Sequence, residues 1–188
     1  MRLAVFILLF ISCTFFSCNK DSNEVAPEEF EVYTILKGEH NSNSKISLIN
    51  SDEISFLVQF DNSCKYTTQN PANQADINKL YGLSDCGSQH HENSARFGWR
   101  WYEDKLEILA YCYVEGERDY KPIKVIQPNQ TYSFKLKIAE DQYYFSVDDT
   151  TVAMKRGCNY NKYRYRLYPY FGGDEVAPQD IHIKIKES

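Results

Sequence analysis

From residue 30 almost to the C-terminus, apolar and polar side chains alternate in one short run after another. Ile181-His182-Ile183-Lys184-Ile185-Lys186 is the plainest of them. Period two places neighbouring side chains on opposite sides of an extended backbone, so each run reads as a strand with one buried face. Strands are predicted over 30–37, 45–50, 53–60, 94–102, 105–114, 118–125, 131–139, 142–147, 150–156, 163–170 and 180–186. A single segment carries helical spacing. Pro71 to Gly82 has Asn70 as a cap, Ile77 and Leu80 three apart and Gly82 as a stop, which predicts a helix of at most two turns. Many short strands with almost no helix bury their apolar faces by pairing two sheets, and the expected fold is an all-β, antiparallel two-sheet β-sandwich.

Side-chain matching also sets the register of individual hairpins, because a slip of one residue exchanges the two faces. With Glu103-Asp104 as a loop, Trp101, Trp99, Phe97 and Ala95 fall opposite Leu106, Ile108, Ala110 and Cys112. That face is wholly apolar, which assigns both tryptophans to the core. The other face pairs Arg100 with Glu107, Gly98 with Leu109, Arg96 with Tyr111 and Ser94 with Tyr113. With Glu140-Asp141 and Asp148-Asp149 as loops, Phe134, Leu136 and Ile138 face Val147, Phe145 and Tyr143, and the last two also face Val152 and Met154.

The front of the chain is of another kind. Met1-Arg2 precedes an apolar stretch from Leu3 to Phe16, broken only by Ser12, Cys13 and Thr14, in the layout of a secretory signal. It is shorter than the roughly 20 apolar residues that span a bilayer. The stretch ends at Phe16-Ser17-Cys18 and turns polar at Asn19-Lys20-Asp21. This resembles a bacterial lipobox, in which the cysteine takes a diacylglycerol and the chain is cut before it. Phe15 and Phe16 stand where Leu and a small residue are usual. The resemblance implies a signal peptide over 1–17, lipidation at Cys18, a tether over 18–28 and a single domain over 29–188. With Asp21 and Glu24 close behind the cysteine, it also implies an outer-membrane lipoprotein of a Gram-negative bacterium, with the cell surface one of the two leaflets open to it.

The formal net charge is −5, and loss of Arg2 makes it one unit more negative. An acidic chain without a Lys/Arg cluster is a poor nucleic-acid ligand, since neutralising phosphates dominates that affinity. Of six cysteines, Cys64, Cys86, Cys112 and Cys158 remain once Cys13 is cleaved away and Cys18 is acylated. Outside the cytoplasm they invite disulfides, with three pairings open and free buried thiols an alternative. No CxxC or HxxxH spacing suggests zinc. Asp61, Asp76 and Asp174 could hold calcium, though no loop has its ligand spacing, and no cofactor is expected.

Near the C-terminus stand Leu167-Tyr168-Pro169-Tyr170-Phe171-Gly172-Gly173-Asp174 and Ala177-Pro178-Gln179-Asp180-Ile181. This pattern is similar to the closing segment of concanavalin A-like jelly-roll domains in secreted proteins that bind or cut polysaccharides. Asn93-Ser94-Ala95-Arg96-Phe97-Gly98-Trp99-Arg100-Trp101 resembles a central strand of surface lipoproteins of this sort. The resemblance implies a jelly roll with an open sheet face and a glycan or polysaccharide partner.

The residues themselves offer one candidate face: Arg96, Gly98, Arg100, Glu107, Tyr111 and Tyr113. Arg is a rigid fork for hydroxyls or carboxylates, Tyr a ring with a polar tip, and a strand-centre Gly admits a ligand close to the backbone. The plainer reading is an ordinary second face with Arg100–Glu107 as a cross-strand ion pair. His90 and His91 sit in the loop entering that strand. Adjacent histidines on an extended backbone point apart and would not share a metal; solvated loop residues are the plainer reading. Hydrolysis would need two carboxylates beside the scissile bond, and the closely spaced acidic run of concanavalin A-like hydrolases is missing. Polysaccharide β-elimination would need a cation for the uronate and a Tyr or His to move the proton. Three functions follow: non-catalytic glycan binding in the lead, then a lyase using the same groove, then an adhesion module with a protein partner.

Overall fold

The computed structural model describes residues 29–45, 47–159 and 163–188, so the expectations for the leader, Cys18 and the tether fall outside the described residues. The described residues form twelve strands. The first six are β1 (Glu31–Ile35), β2 (Leu48–Ile49), β3 (Glu53–Phe60), β4 (Asn78–Ser84), β5 (Ser94–Tyr102) and β6 (Lys105–Val114). The rest are β7 (Glu117–Ile126), β8 (Thr131–Ala139), β9 (Gln142–Val147), β10 (Thr150–Lys155), β11 (Arg164–Leu167) and β12 (Ile181–Glu187). They form two antiparallel six-stranded sheets, ordered β1-β12-β3-β8-β9-β10 and β2-β11-β4-β5-β6-β7. These strands and the core between the sheets lie within the described residues of 29–188.

The registers read from side-chain matching hold residue for residue. Trp101 lies opposite Leu106, Trp99 opposite Ile108, Phe97 opposite Ala110 and Ala95 opposite Cys112. Glu103 and Asp104 both take positive φ (49° and 57°), the geometry of the two-residue turn that matches strand twist, and this pins the pairing. The 131–156 meander pairs as expected too. Phe56, Phe97, Phe134 and Phe145 meet between the sheets with ring centroids 4.9–5.7 Å apart. Trp99 is fully buried against Phe60 and Tyr66, and Trp101 packs half-buried at the core edge.

The predicted helix over 71–82 is corrected. Pro71–Ala75 is a 3-10 turn whose cap is indeed Asn70, accepting from the Ala72 N–H at 3.1 Å. The remainder is strand β4, held between β11 and β5. The Ile77/Leu80 spacing belongs to a bulge: the pairing shifts between Lys79 and Tyr81, and Leu80 and Tyr81 are both fully buried. Gly82 stops nothing. A Cβ there would lie 2.1 Å from the Ala95 carbonyl oxygen, so glycine lets β4 close against β5.

Cysteine pairing is decided by placement. Cys86 and Cys158 form a disulfide. Cys64 and Cys112, candidates for a second bridge, are buried thiols, and burial raises both above the ordinary thiol pKa. Beside the disulfide, the fully buried Asp85 carboxylate accepts from Arg156 Nε at 2.6 Å, Arg164 Nε at 2.9 Å and the Tyr143 hydroxyl at 2.9 Å. Tyr143 and Arg156 belong to the first sheet and its end, Asp85 and Arg164 to the second. This cluster fastens one end of the sandwich.

Candidate functional site

The candidate site lies on the second sheet, on the face turned away from the core. Alternation puts Ser94, Arg96, Gly98 and Arg100 of β5 on that face, with Glu107, Leu109, Tyr111 and Tyr113 of β6 beside them. Lys79 and Gly82 of β4 pair with Gly98 and Arg96, and Leu167 of β11 pairs with Gly82. One row therefore runs Leu167, Gly82, Arg96, Tyr111, Tyr120 across five strands.

An open cleft of ≈380 Å³ lies over the half of this row between Leu167 and Arg96. Its walls are His90, Tyr165, Leu167 and Tyr170 on one side and the 41–45 segment on the other. Tyr170 is fixed by backbone bonds in both directions with Lys79 (2.9 Å each) and by stacking on His40 at 5.3 Å. The Tyr165 hydroxyl accepts from the His90 N–H at 3.0 Å and lies 3.3 Å from His90 Nδ1. None of the lining residues is acidic.

Arg96 is the unusual group here. It is 6% exposed, forms no hydrogen bond to any described residue, and its Nε is enclosed without a partner. Its guanidinium and the Lys79 ammonium both rest on the Tyr111 ring, at 5.5 and 4.9 Å from the centroid. Lys79 Nζ donates to the Ile77 carbonyl at 2.8 Å. Burial, then Arg96 and Arg118, push the Lys79 amine down to about 8. Burial, then Arg96 and His91, push His90 down to about 4, so its ring is neutral at neutral pH. Burial raises the Tyr111 phenol to about 12.

The candidate residues named from the sequence share the face that carries the cleft, but most of them lie outside the cleft itself. Of the predicted residues, Arg96 and His90 line the cleft. Gly98 does not open the surface: a Cβ there would lie 2.6 Å from Ile77 Cγ2, so Ile77 already covers the position. Arg100 and Glu107 are joined at 2.7 Å, and Arg100 also donates to the Ala75 carbonyl. Tyr111 is 2% exposed, a buried support under two cations and not a stacking platform. Tyr113 packs edge-on against Tyr111 and His91. The two histidines do not diverge. They lie in a turn, where the strand argument does not apply, with ring centroids 4.0 Å apart.

Of the calcium candidates, Asp61 caps a 3-10 turn by accepting from the Ser63 N–H, and the Asp76 carboxylate lies beside Gly173. Among the described residues, the single group with metal-ligand spacing is Asp85, Cys86 and Cys158, and the disulfide takes both sulfurs. Lys79, Tyr165 and Tyr170 were missed as site residues. Lys79 was assigned to a helix. Tyr165 stands in the alternating run Arg164-Tyr165-Arg166-Leu167, which marks it as sharing a face with Leu167 but not which face.

No protein-family model matches the chain, and no curated protein matches it in sequence. Its fold recurs in solved structures. Alginate lyase AlyC3 aligns over 86% of this chain and 74% of its own, with TM-score 0.61 and 11% identity. The non-specific endo-β-1,3(4)-glucanase SCLam of family GH16 aligns over 84% and 69%, with TM-score 0.58 and 7% identity. The marine PL7 alginate lyase AlyA1 from Zobellia galactanivorans aligns over 84% and 64%, with TM-score 0.52 and 12% identity. The likeness is one of fold: this chain adopts the concanavalin A-like jelly roll that these lyases and this glucanase share.

Proposed function

We propose that this chain is a non-catalytic glycan-binding protein that uses the cleft over Arg96, presented from the outer membrane by a lipid anchor at Cys18. The observation that carries the reading is the cleft's chemistry: an unsatisfied guanidinium at its floor and tyrosine rings in its walls. Sugars are held by such pairings of polar forks and ring faces. The fold shared with polysaccharide lyases and a glucanase adds support. Hydrolysis lacks its two carboxylates, since no acidic residue lines the cleft. A lyase is the second reading, favoured by the Tyr165 hydroxyl beside a neutral His90 near Arg96, groups able to pass a proton.

The test is a panel of neutral and acidic polysaccharides offered to residues 29–188, reading retention and new unsaturated ends in the same wells. Retention without cleavage, lost on Tyr165→Ala, is expected. Cleavage would replace binding with lyase chemistry. Silence across the panel would shift the assignment to adhesion with a protein partner. For the anchor, mass spectrometry of the full chain made in a Gram-negative host should find diacylglycerol on Cys18 and none on the Cys18→Ala variant.

A further inference from the structure

Resting on the glycan reading, we infer that the cleft is an anion site: Arg96 receives a carboxylate or sulfate group of the glycan, and Lys79 supplies a second positive charge behind it. The inference comes from comparing the arginines of this one chain. Arg100 pairs with Glu107, Arg156 with Asp85, Arg164 with Asp85 and Asp52, and Arg166 with Glu187. Arg96 is 6% exposed, between Arg164 at 4% and Arg156 at 7%, and has neither a carboxylate nor a hydrogen bond among the described residues. A buried guanidinium carries five N–H donors, and leaving them unmet costs free energy that a planar anion recovers through two parallel bonds.

The surroundings reinforce the sign of the missing partner. Besides each other, the groups acting on Arg96 and Lys79 are Arg118 from β7, Tyr111, Cys112 and Tyr113 from β6, Tyr165 from β11 and Asp76 ahead of β4. Asp76 is the single carboxylate among them. Lys45 also lines the cleft, with its charge already paired to Glu31 at 3.2 Å. Gly82, directly across from Arg96, contributes no side chain to the space beside the guanidinium. A fork of N–H donors, a second cation and no competing carboxylate in the lining fit a tetrahedral sulfate or a planar carboxylate and leave a neutral hydroxyl undersatisfied. Because the Lys79 amine is buried and crowded by cations, its charge is lost at a lower pH than an ordinary lysine's, and anion affinity should fall as pH rises through about 8.

The experiment is calorimetric titration of residues 29–188 with two oligosaccharide pairs: an oligouronate against its carboxyl-reduced form, and a sulfated oligosaccharide against its desulfated form. At least one charged member should bind about ten-fold or more tightly than its neutral counterpart, as expected for charge-assisted bonds. The pair that responds identifies carboxylate or sulfate as the source. Lys79→Met should weaken that binding several-fold and flatten its dependence between about pH 7 and 9. Arg96→Lys should keep the charge but lose most of the affinity, because the fork is gone. Thermal unfolding of each variant separates a lost site from a lost fold, and Lys79→Met carries the test if Arg96→Lys unfolds. Equal binding of charged and neutral members would overturn the anion inference while leaving the glycan reading intact. Binding of none of the four would remove both.

Discussion

Buried arginines lie on both sides of the second sheet, a pair around Asp85 on the inner side and Arg96 alone on the outer, and they are treated in opposite ways. Around Asp85, Arg156 and Arg164 are nearly inaccessible, and both are bonded to a fully buried carboxylate shared with the Tyr143 hydroxyl. On the outward face, Arg96 is equally enclosed and has no hydrogen bond among the described residues. Both arrangements bear a desolvation cost; only the first repays it within the chain. A satisfied charge cluster between sheets specifies how they dock. An unsatisfied one at a cleft is a feature that folding alone does not explain, and it points outward to a ligand.

The largest effect should come from breaking the satisfied cluster. Asp85→Ala removes the fully buried carboxylate that Arg156, Arg164 and Tyr143 share and should cost about 3–5 kcal/mol in denaturant unfolding. The same group sets an acid limit. Burial opposes ionisation of Asp85, but hydrogen bonds from Arg156, Arg164 and Tyr143 outweigh it and hold the carboxyl below its ordinary range. Its contribution is thus complete above the ordinary carboxylate pKa and is lost as pH falls through the depressed folded value. Asp85→Asn should remove that part of the acid slope of stability. A flat response to either substitution would erase the distinction between the two groups.

The counterpart on the outward face should behave oppositely. Arg96→Met removes an uncompensated charge and keeps most of the volume, so unfolding stability should stay within about 1 kcal/mol of the parent or rise. A loss comparable to that of Asp85→Ala would mean Arg96 is structural. The smallest effect belongs to Arg100–Glu107, whose side chains are 17% and 26% exposed. A double-mutant cycle there should give a coupling of about 1 kcal/mol or less, the range of partly solvated cross-strand pairs.

Legibility in the sequence followed the range of the forces involved. The β5–β6 hairpin and the 131–156 meander could be registered because period-two alternation and short turns are local, and one slip would bury charge. Strand β4 could not be read. Its bulge at Leu80 breaks the alternation, Gly82 imitates a helix stop, and its extended form depends on β11 and β5, which are far away in sequence on one side. The site was half legible for the same reason. Arg96 and Tyr111 were placed on one face by register, but the cleft opens where β11 and the 41–45 segment approach that face, and no local pattern announces it.

What the chain's own order of residues determined is the class of fold and the inward and outward faces of its hairpins, since these rest on alternation and turn geometry alone. Which cysteines pair, which arginines find a carboxylate and where the second sheet opens were decided only by packing. Each depends on residues brought together from separate strands: Cys86 with Cys158, Asp85 with Arg156 and Arg164, Arg96 with Lys79 and Tyr165. Those encounters exist once the two sheets have closed on their core, because nothing shorter in range than the core brings the strands into contact.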